Sequence, residues 1–184
     1  MQHRKTRVAW DEVGEAHFLT FSCLDRLPLL CSDWIRACFL TNLDSVRKSQ
    51  NFAVWAYVIM PEHVHLLVYP RCETCRMKAI LGAIKRPVSE AAHQRLLAVG
   101  ATRWLHRLSS PDGFHFWQPG GGYDRNIREW ASIEPLMIYI HENPVRRGLV
   151  DRVEDWRWSS ARFWIQEESV DFVPDDPLGD AQER

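Results

Sequence analysis

The stretch from residue 52 to residue 69 constrains the fold more than any other part of the chain, because it predicts two strands that lie side by side. Phe52 to Met60 and His63 to Tyr69 are both apolar runs with the length of a strand, and only Pro61 and Glu62 separate them. So short a connection favours an antiparallel hairpin.

Two histidines, His63 and His65, stand in the second strand of this hairpin. Alternate side chains of a strand share a face, so both imidazoles point the same way while Val64 and Leu66 point into the core. Two imidazoles held in this way form half of a site for a divalent metal ion. A half-exposed surface pair is the alternative interpretation. A hydrolase of the histidine-triad type would need a third histidine where the chain has Leu67.

A second group of candidate residues follows much later, in the segment from Tyr139 to Pro144. Residues i and i+4 of a helix are neighbours on one face, so we expect Tyr139 and Asn143 to project together from a helix that Pro144 closes. A phenol can act as a covalent nucleophile, and an amide oxygen can join two imidazoles as a third metal ligand. Such a set suits phosphoryl transfer on a nucleic acid, although most helical tyrosines only contribute to a core.

The composition is that of a globular protein with one domain: 184 residues, 46% of them hydrophobic and 26% charged. No apolar run is long enough for a membrane span, and the basic N-terminus lacks the apolar stretch of a signal peptide, so we expect a cytoplasmic protein. The net charge of −1 is unevenly distributed. Residues 167–184 contain seven acidic residues and one basic residue, a balance of −6, which leaves +5 on the remainder.

The five cysteines are an odd number, and no disulfide framework is expected for a cytoplasmic protein. Cys72 and Cys75 have the spacing of half a zinc site, but structural zinc needs two more ligands. His93 is the nearest spare histidine and is isolated in the sequence. We therefore interpret the two cysteines as free thiols.

The whole pattern predicts an α+β fold, in which helices pack on an antiparallel sheet of about four to five strands. Besides the hairpin, strands are expected at 16–23 and 114–118, and a sharp turn at 120–122. Helices are expected at 33–48, at 73–97 with a bend or break at Pro87, and after Ser132, with a loop over residues 100–113. We expect one domain over residues 1–166, including a Trp-rich C-terminal segment from about residue 150, and an acidic, flexible tail over residues 167–184.

These motifs resemble the HUH-type single-tyrosine transposases, and in particular their REP-associated branch. The similarity extends from about Ala16 to Ala161 and depends on segments that follow one another in the same order. They are residues 16–21 with 25–30, 60–68, 116–126, 139–150 and 155–161. One departure is Glu62, where relatives more often have asparagine. This residue adds negative charge beside the histidines.

The resemblance implies a fold, a site and a reaction. The fold is an antiparallel sheet of ferredoxin or RRM type, with the histidine strand in its centre and the tyrosine helix across it. His63, His65 and Asn143 would hold Mg²⁺ or Mn²⁺, and Tyr139 would attack single-stranded DNA beside a hairpin to give a 5′-phosphotyrosine link and a free 3′-OH. The Trp-rich C-terminal region favours a monomer, with a homodimer as the alternative.

Six further residues are candidate DNA contacts. Arg146 and Arg147 come just after the helix that carries Tyr139, where a phosphate must approach, and Tyr123 could stack on a base. The other three are basic side chains that could equally be solvated or structurally paired: Lys85, Arg86 and Arg125.

The sequence therefore predicts a transposase-like enzyme that nicks and joins single-stranded DNA near hairpins with the help of a divalent metal ion. A catalytically idle protein that binds DNA hairpins is the first alternative. A structural or RNA-binding module of the same fold is the second, and such a module would not need the histidines and the tyrosine together.

Overall fold

A four-stranded antiparallel sheet forms the centre of the structure, a computed structural model that describes residues 14–73 and 75–182. Its first three strands are β1 (Ala16–Ser22), β2 (Phe52–Ile59) and β3 (His63–Pro70). Two short strands, β4 (Ser109–Ser110) and β5 (Gly113–Phe114), form a separate hairpin, and β6 (Tyr123–Ile127) completes the main sheet. The spatial order is β2-β3-β1-β6, so the predicted hairpin is present and the histidine strand is internal.

Helices cover both faces of the sheet. The helices α1 (Asp33–Ser49) and α2 (Met77–Ala98) pack on one face, and the short α3 (Thr102–Leu108) follows α2. Helix α4 (Ile133–Arg146) packs on the opposite face. The chain ends with two short helices, α5 (Ala161–Gln166) and α6 (Pro177–Gln182). The α+β prediction is confirmed. None of the described helices has the length and apolar character needed to cross a membrane.

The alternation of side chains along β3 decides which groups reach the site. Val64, Leu66 and Val68 point into the core below α1 and α2. Leu67 and Tyr69 contribute to the second core, below α4. Because His63 and His65 have the same parity as Leu67, their imidazoles lie on the α4 face.

The fourth strand of the main sheet lies later in the chain than predicted. Of residues 114–118, only Phe114 is in a strand, and that strand belongs to the separate hairpin. The true fourth strand, β6, was missed because its sequence Tyr-Asp-Arg-Asn-Ile is polar, as suits the edge of a sheet. The turn predicted before it is present: Gly122 has φ +80°, and a Cβ there would lie 2.3 Å from the Thr20 carbonyl oxygen. Residues 102–108, predicted as loop, form α3.

Helix α2 continues through Pro87, where a bend or break was predicted. Proline has no N–H, so the carbonyl of Ala83, four residues earlier, lacks its helical donor. The side-chain amide of Asn42, on α1, donates to this carbonyl at 3.2 Å and to that of Ile84 at 2.8 Å. A contact between helices therefore supplies a donor that the local sequence lacks.

The C-terminal region covers the outer edge of β2. The N–H of Ile59 donates to the Trp158 carbonyl at 2.8 Å, and the N–H of Asp175 donates to the Val54 carbonyl at 2.8 Å. The buried carboxylate of Asp180 accepts from Trp55 Nε1 at 2.7 Å. Covered edges are protected from pairing with other chains.

This packing differs from the flexible tail expected after residue 167, because the tail's acidic side chains find cationic partners. Asp175 pairs with Arg47 at 2.7 Å and with Arg71 at 3.1 Å, and Asp180 pairs with Arg71 at 2.5 Å. The first part of the predicted domain, residues 1–13, and the end of the tail, residues 183–184, lie outside the described residues.

Candidate functional site

The two histidines of β3 present their Nε2 atoms to the same point. The distance between His63 Nε2 and His65 Nε2 is 3.1 Å. Both side chains are largely buried, with exposed fractions of 5% and 6%. The strand therefore holds the imidazoles side by side, as the sequence predicted.

The other ring nitrogen of each histidine has its own partner. His63 Nδ1 lies 3.1 Å from Glu62 Oε1, and His65 Nδ1 lies 2.7 Å from the hydroxyl of Thr20 on the neighbouring strand β1. Histidines that bind metals usually hold the second ring nitrogen in a hydrogen bond of this kind, which fixes the tautomer and the ring orientation. These contacts therefore leave both Nε2 atoms to act as ligands.

The donor set fits a hexacoordinate divalent ion. Two adjacent ligands of an octahedral ion, with bonds of about 2.1 Å, lie about 3 Å apart, which matches the separation of the Nε2 atoms. Within the described residues, no three His, Cys, Asp or Glu side chains come together as a metal site. The thiols of Cys72 and Cys75 contact the Gln50 carbonyl instead. A third protein ligand must therefore come from another residue type, such as the amide of Asn143.

Burial keeps the histidines neutral. It lowers the pKa of His65 to about 3, with a further contribution from the neighbouring His63, and burial also lowers the pKa of His63. For the carboxyl of Glu62, burial acts to raise the pKa, but the hydrogen bond and charge of Arg147 and the hydrogen bond from His63 outweigh it, so the net pKa is lowered. A neutral imidazole has the free lone pair that metal binding requires.

Asn143 lies on α4 with its amide nitrogen occupied. Its Nδ2 donates to the Tyr139 carbonyl at 2.7 Å and to the Ile140 carbonyl at 3.3 Å. The Ile140 carbonyl lacks a helical donor because Pro144, four residues later, has no N–H. The Asn143 side chain also acts to raise the pKa of the His65 imidazole, against the larger effect of burial. The amide oxygen is therefore the atom available beside the histidines.

The sequence predicted that Pro144 closes this helix, but α4 continues past it. The helix ends at Arg146, and Gly148, just beyond it, has a φ of +65°, the left-handed conformation typical of the residue after a helix C-terminus. The extra turn extends the helix beyond Asn143 and places Arg147 directly after it.

Tyr139 lies at the surface of α4 and not in the core. Its side chain is 38% exposed, and its ring centroid lies 6.0 Å from that of His65 and 6.0 Å from that of Phe18. The guanidinium of Arg146 lies 5.3 Å from the centre of the Tyr139 ring. The structure thus brings together the tyrosine, both histidines and the asparagine that the sequence singled out.

Two of these residues, His65 and Tyr139, border an open groove of about 700 Å³ between β6 and α4. Tyr123 and Arg125 line its opposite wall, so two of the candidate DNA contacts face Tyr139. Tyr123 is 42% exposed, with its ring edge-on to Phe18. Among the described residues, the buried Nε of Arg125 makes no hydrogen bond. The groove therefore offers a cation and an exposed aromatic ring opposite the phenol.

The other candidate DNA contacts are divided between two places. Arg147 donates to Glu62 Oε1 at 2.7 Å, so its guanidinium is engaged with the histidine strand. Lys85 and Arg86 line a second groove of about 810 Å³, between α2 and residues 114–122. In that groove, Lys85 Nζ donates to the Gly120 carbonyl at 3.0 Å. Neither Lys85 nor Arg86 lines the groove that contains Tyr139.

Sequence reasoning missed two supporting residues on β1. Thr20 holds His65 through its hydroxyl, and Phe18 stacks on the His65 ring with a centroid distance of 5.4 Å. Both belong to a segment whose pattern supported the family resemblance, and they share a face at i and i+2. Only the register of β1 against β3, which sets Thr20 opposite His65, shows their role.

No protein-family model matches the chain. A curated protein of Haemophilus influenzae, whose name places it among the REP-associated tyrosine transposases, is 24% identical over 147 residues and is matched over 80% of each chain. The solved structure of a REP-associated tyrosine transposase bound to a REP hairpin has a TM-score of 0.66 at 20% identity, over 94% of this chain and 93% of that chain. A second solved structure, described as a transposase of Deinococcus radiodurans, has a TM-score of 0.46 at 15% identity, over 77% and 97%.

The first two of these similarities confirm the predicted resemblance and the fold. They extend over 80% and 94% of this chain. They leave the roles of individual residues as predictions.

Proposed function

We propose that this chain is a REP-associated tyrosine transposase, a metal-dependent enzyme that nicks and joins single-stranded DNA beside hairpins. The observation that carries this proposal is the meeting of side chains from β3 and α4: two imidazole Nε2 atoms lie 3.1 Å apart, and the exposed phenol ring of Tyr139, on the same helix as the Asn143 amide, has its centroid 6.0 Å from that of His65. A structural or RNA-binding module would need no such arrangement.

The metal site in this proposal consists of His63, His65 and Asn143. A bound Mg²⁺ or Mn²⁺ would withdraw charge from the scissile phosphate and orient it. The residues around it hold the ligands in place: Glu62 and Thr20 fix the two rings, and the backbone carbonyls of α4 fix the Asn143 amide.

Tyr139 is the nucleophile. Its Oη forms a bond to phosphorus while the bond from phosphorus to the 3′ oxygen of the preceding nucleotide breaks. The phenol proton is lost and the departing 3′ oxygen gains a proton, so the products are a 5′-phosphotyrosine and a free 3′-OH. Attack by another 3′-OH reverses the step and joins strands, without a nucleotide cofactor.

The groove between β6 and α4 binds the reacting strand. Arg125, with an unpaired Nε, neutralises a phosphate, and Tyr123 stacks on a base. Arg146, beside the Tyr139 ring, contacts the phosphate that approaches the phenol. The hairpin carried by the related structure makes a DNA hairpin the partner to test first.

Lys85 and Arg86 contact DNA outside this groove, along the second groove beside α2. Their contribution is to affinity, since backbone contacts supply charge neutralisation and not chemistry. The monomeric state and the cytoplasmic location expected from the sequence stay predictions.

The proposal is tested on a denaturing gel with hairpin DNA, labelled on the 3′ side of the nick, and Mn²⁺. A 5′-phosphotyrosine link retains the downstream strand, so the label should move with the protein, whereas a label on the 5′ side should not. Tyr139→Phe should give no adduct. Tyr123→Phe is the matched control, because Tyr123 lines the same groove and should not be required for the covalent bond.

Two results would contradict the proposal. Tight binding of hairpins without an adduct, across hairpins from the host genome, would indicate the catalytically idle binder. An adduct that persists in Tyr139→Phe and disappears in Tyr123→Phe would mean that the nucleophile is Tyr123.

A further inference from the structure

The carboxylate of Glu62 is the meeting point of three cationic or polar groups. Its Oε1 accepts from Arg147 Nη1 at 2.7 Å, lies 3.1 Å from His63 Nδ1 and accepts from Arg26 Nη2 at 3.3 Å. The residue is only 6% exposed, although it stands in the short connection between β2 and β3. A buried carboxylate with three donors on one oxygen is held in a single position.

These contacts join the two halves of the candidate site. Glu62 directly precedes His63 on the histidine strand, and Arg147 directly follows α4, the helix that carries Tyr139 and Asn143. The ion pair is therefore a side-chain link between the strand with the imidazoles and the helix with the phenol. The proposed reaction needs these groups at a fixed separation, since small displacements of reacting groups are costly.

The same carboxylate orients His63. An Nδ1–H that donates to a carboxylate leaves the Nε2 lone pair free and makes the ring a stronger ligand. An amide side chain at this position could accept the same hydrogen bond from His63 but could not pair with an arginine as an ion. Glu62 thus adds a charged connection to α4 that an amide would not provide.

We propose that Glu62 and Arg147 act as a positioning pair, which orients His63 and holds the end of α4 against the histidine strand. The inference rests on the proposed function of this site. Neither residue touches the DNA in this role. Arg147, which the sequence placed among the DNA contacts, acts through Glu62 instead.

The first test measures Mn²⁺ affinity without DNA. Glu62→Gln keeps the shape of the side chain but not its charge, and it should weaken Mn²⁺ binding by about tenfold or more, as is typical when the partner of a ligating histidine is changed. Arg147→Lys keeps the charge and should retain most of the affinity. Glu134→Gln, an exposed acid in the first turn of α4, is the matched control and should bind Mn²⁺ like the wild type.

The second test follows α4 itself by hydrogen exchange. Amides of residue 143 and residues 145–147 should exchange about tenfold faster in Glu62→Gln and in Arg147→Gln than in the wild type. The double variant should be no faster than either single variant, because the two side chains act as one pair. Glu134→Gln should exchange at the wild-type rate.

The outcomes separate this inference from the proposed function. Unchanged exchange at residue 143 and residues 145–147 in Glu62→Gln, or additive effects in the double variant, would overturn the positioning pair even if the wild type forms its DNA adduct. A wild type that neither binds Mn²⁺ nor forms an adduct would overturn the proposed function, and hydrogen exchange alone would then decide whether the pair holds α4.

Discussion

At the scale of the residue, the candidate site depends on the side chains that hold its two histidines. Each imidazole is fixed by one partner, a carboxylate for His63 and a hydroxyl for His65. The local pattern of β3 was enough to predict that the histidines share a face. It could not predict their partners, because Thr20 becomes a neighbour of His65 only when β1 pairs with β3.

Thr20→Val tests the hydroxyl that holds His65. Valine has nearly the same shape but offers no partner for Nδ1, so the ring can turn its Nε2 away from the ion. We expect Mn²⁺ affinity to fall about tenfold while the fold persists. Calorimetric titration measures the affinity, and Thr20→Ser, which keeps the hydroxyl, should retain it. Equal Mn²⁺ affinities of Thr20→Val and the wild type would show that this hydrogen bond does not contribute to metal binding.

At the scale of the element, both long helices with an internal proline continue past it, where the sequence predicted a bend, a break or an end. In each case an asparagine amide donates to the carbonyl that proline leaves without a donor: Asn42 for Pro87, and Asn143 for Pro144. The rule that proline interrupts a helix holds for the backbone alone. The exception at Pro87 comes from a second helix, which no local pattern shows.

The role of Asn42 can be measured with a double-mutant cycle. Asn42→Ala should lower the free energy of unfolding by about 1–3 kcal/mol, because the Ala83 carbonyl loses its donor. In a Pro87→Ala background the cost should shrink, because the new N–H of residue 87 reaches that carbonyl. Urea unfolding measures all four proteins. The same cost in both backgrounds would show that Asn42 does not compensate for Pro87.

His141, a buried residue of α4, should make the free energy of unfolding depend on pH. Burial lowers its pKa to about 4, and its Nε2 lies 2.8 Å from the Ser160 hydroxyl. In the unfolded chain the pKa returns to about 6.5, so below that pH the unfolded chain gains a proton that the folded protein does not. The free energy of unfolding should therefore fall as the pH falls from about 6.5 towards 4 and stay level above this range.

His141→Gln removes this contribution. Between pH 7 and pH 5 the wild type should lose about 2 kcal/mol more of its unfolding free energy than the variant does. Urea unfolding of both proteins at the two pH values gives the difference. Identical losses would mean that His141 does not titrate as its burial implies.

At the scale of the whole molecule, the α+β class and the central hairpin were predictable from the sequence, because they follow from apolar runs of strand length. The edges were not. One edge strand, β6, is too polar to be recognised, and the other, β2, is covered by a C-terminal region that was expected to be flexible. Acidic composition alone could not show that Arg47 and Arg71 lie near that edge and form ion pairs with the C-terminal region.

Asp180→Asn tests whether the C-terminal region stabilises the fold. The change weakens the buried contacts to Trp55 and Arg71, and we expect the free energy of unfolding to fall by about 1–3 kcal/mol. Asp176→Asn is the control, since the carboxylate of Asp176 accepts from the nearby Leu178 N–H and, among the described residues, forms no ion pair. Thermal unfolding compares the two. Equal stability of Asp180→Asn and the wild type would mean that the C-terminal region does not stabilise the fold, as expected for the flexible tail predicted from the sequence.

The central claim is that one particular phenol becomes covalently attached to DNA. Trypsin separates the two surface tyrosines, because Tyr123 falls in the peptide of residues 108–125 and Tyr139 in that of residues 129–146, where it is the single tyrosine. After reaction with hairpin DNA and Mn²⁺, nuclease digestion and tandem mass spectrometry should find the phosphonucleotide on Tyr139 alone. A phosphonucleotide on Tyr123, or on neither peptide, would contradict the account.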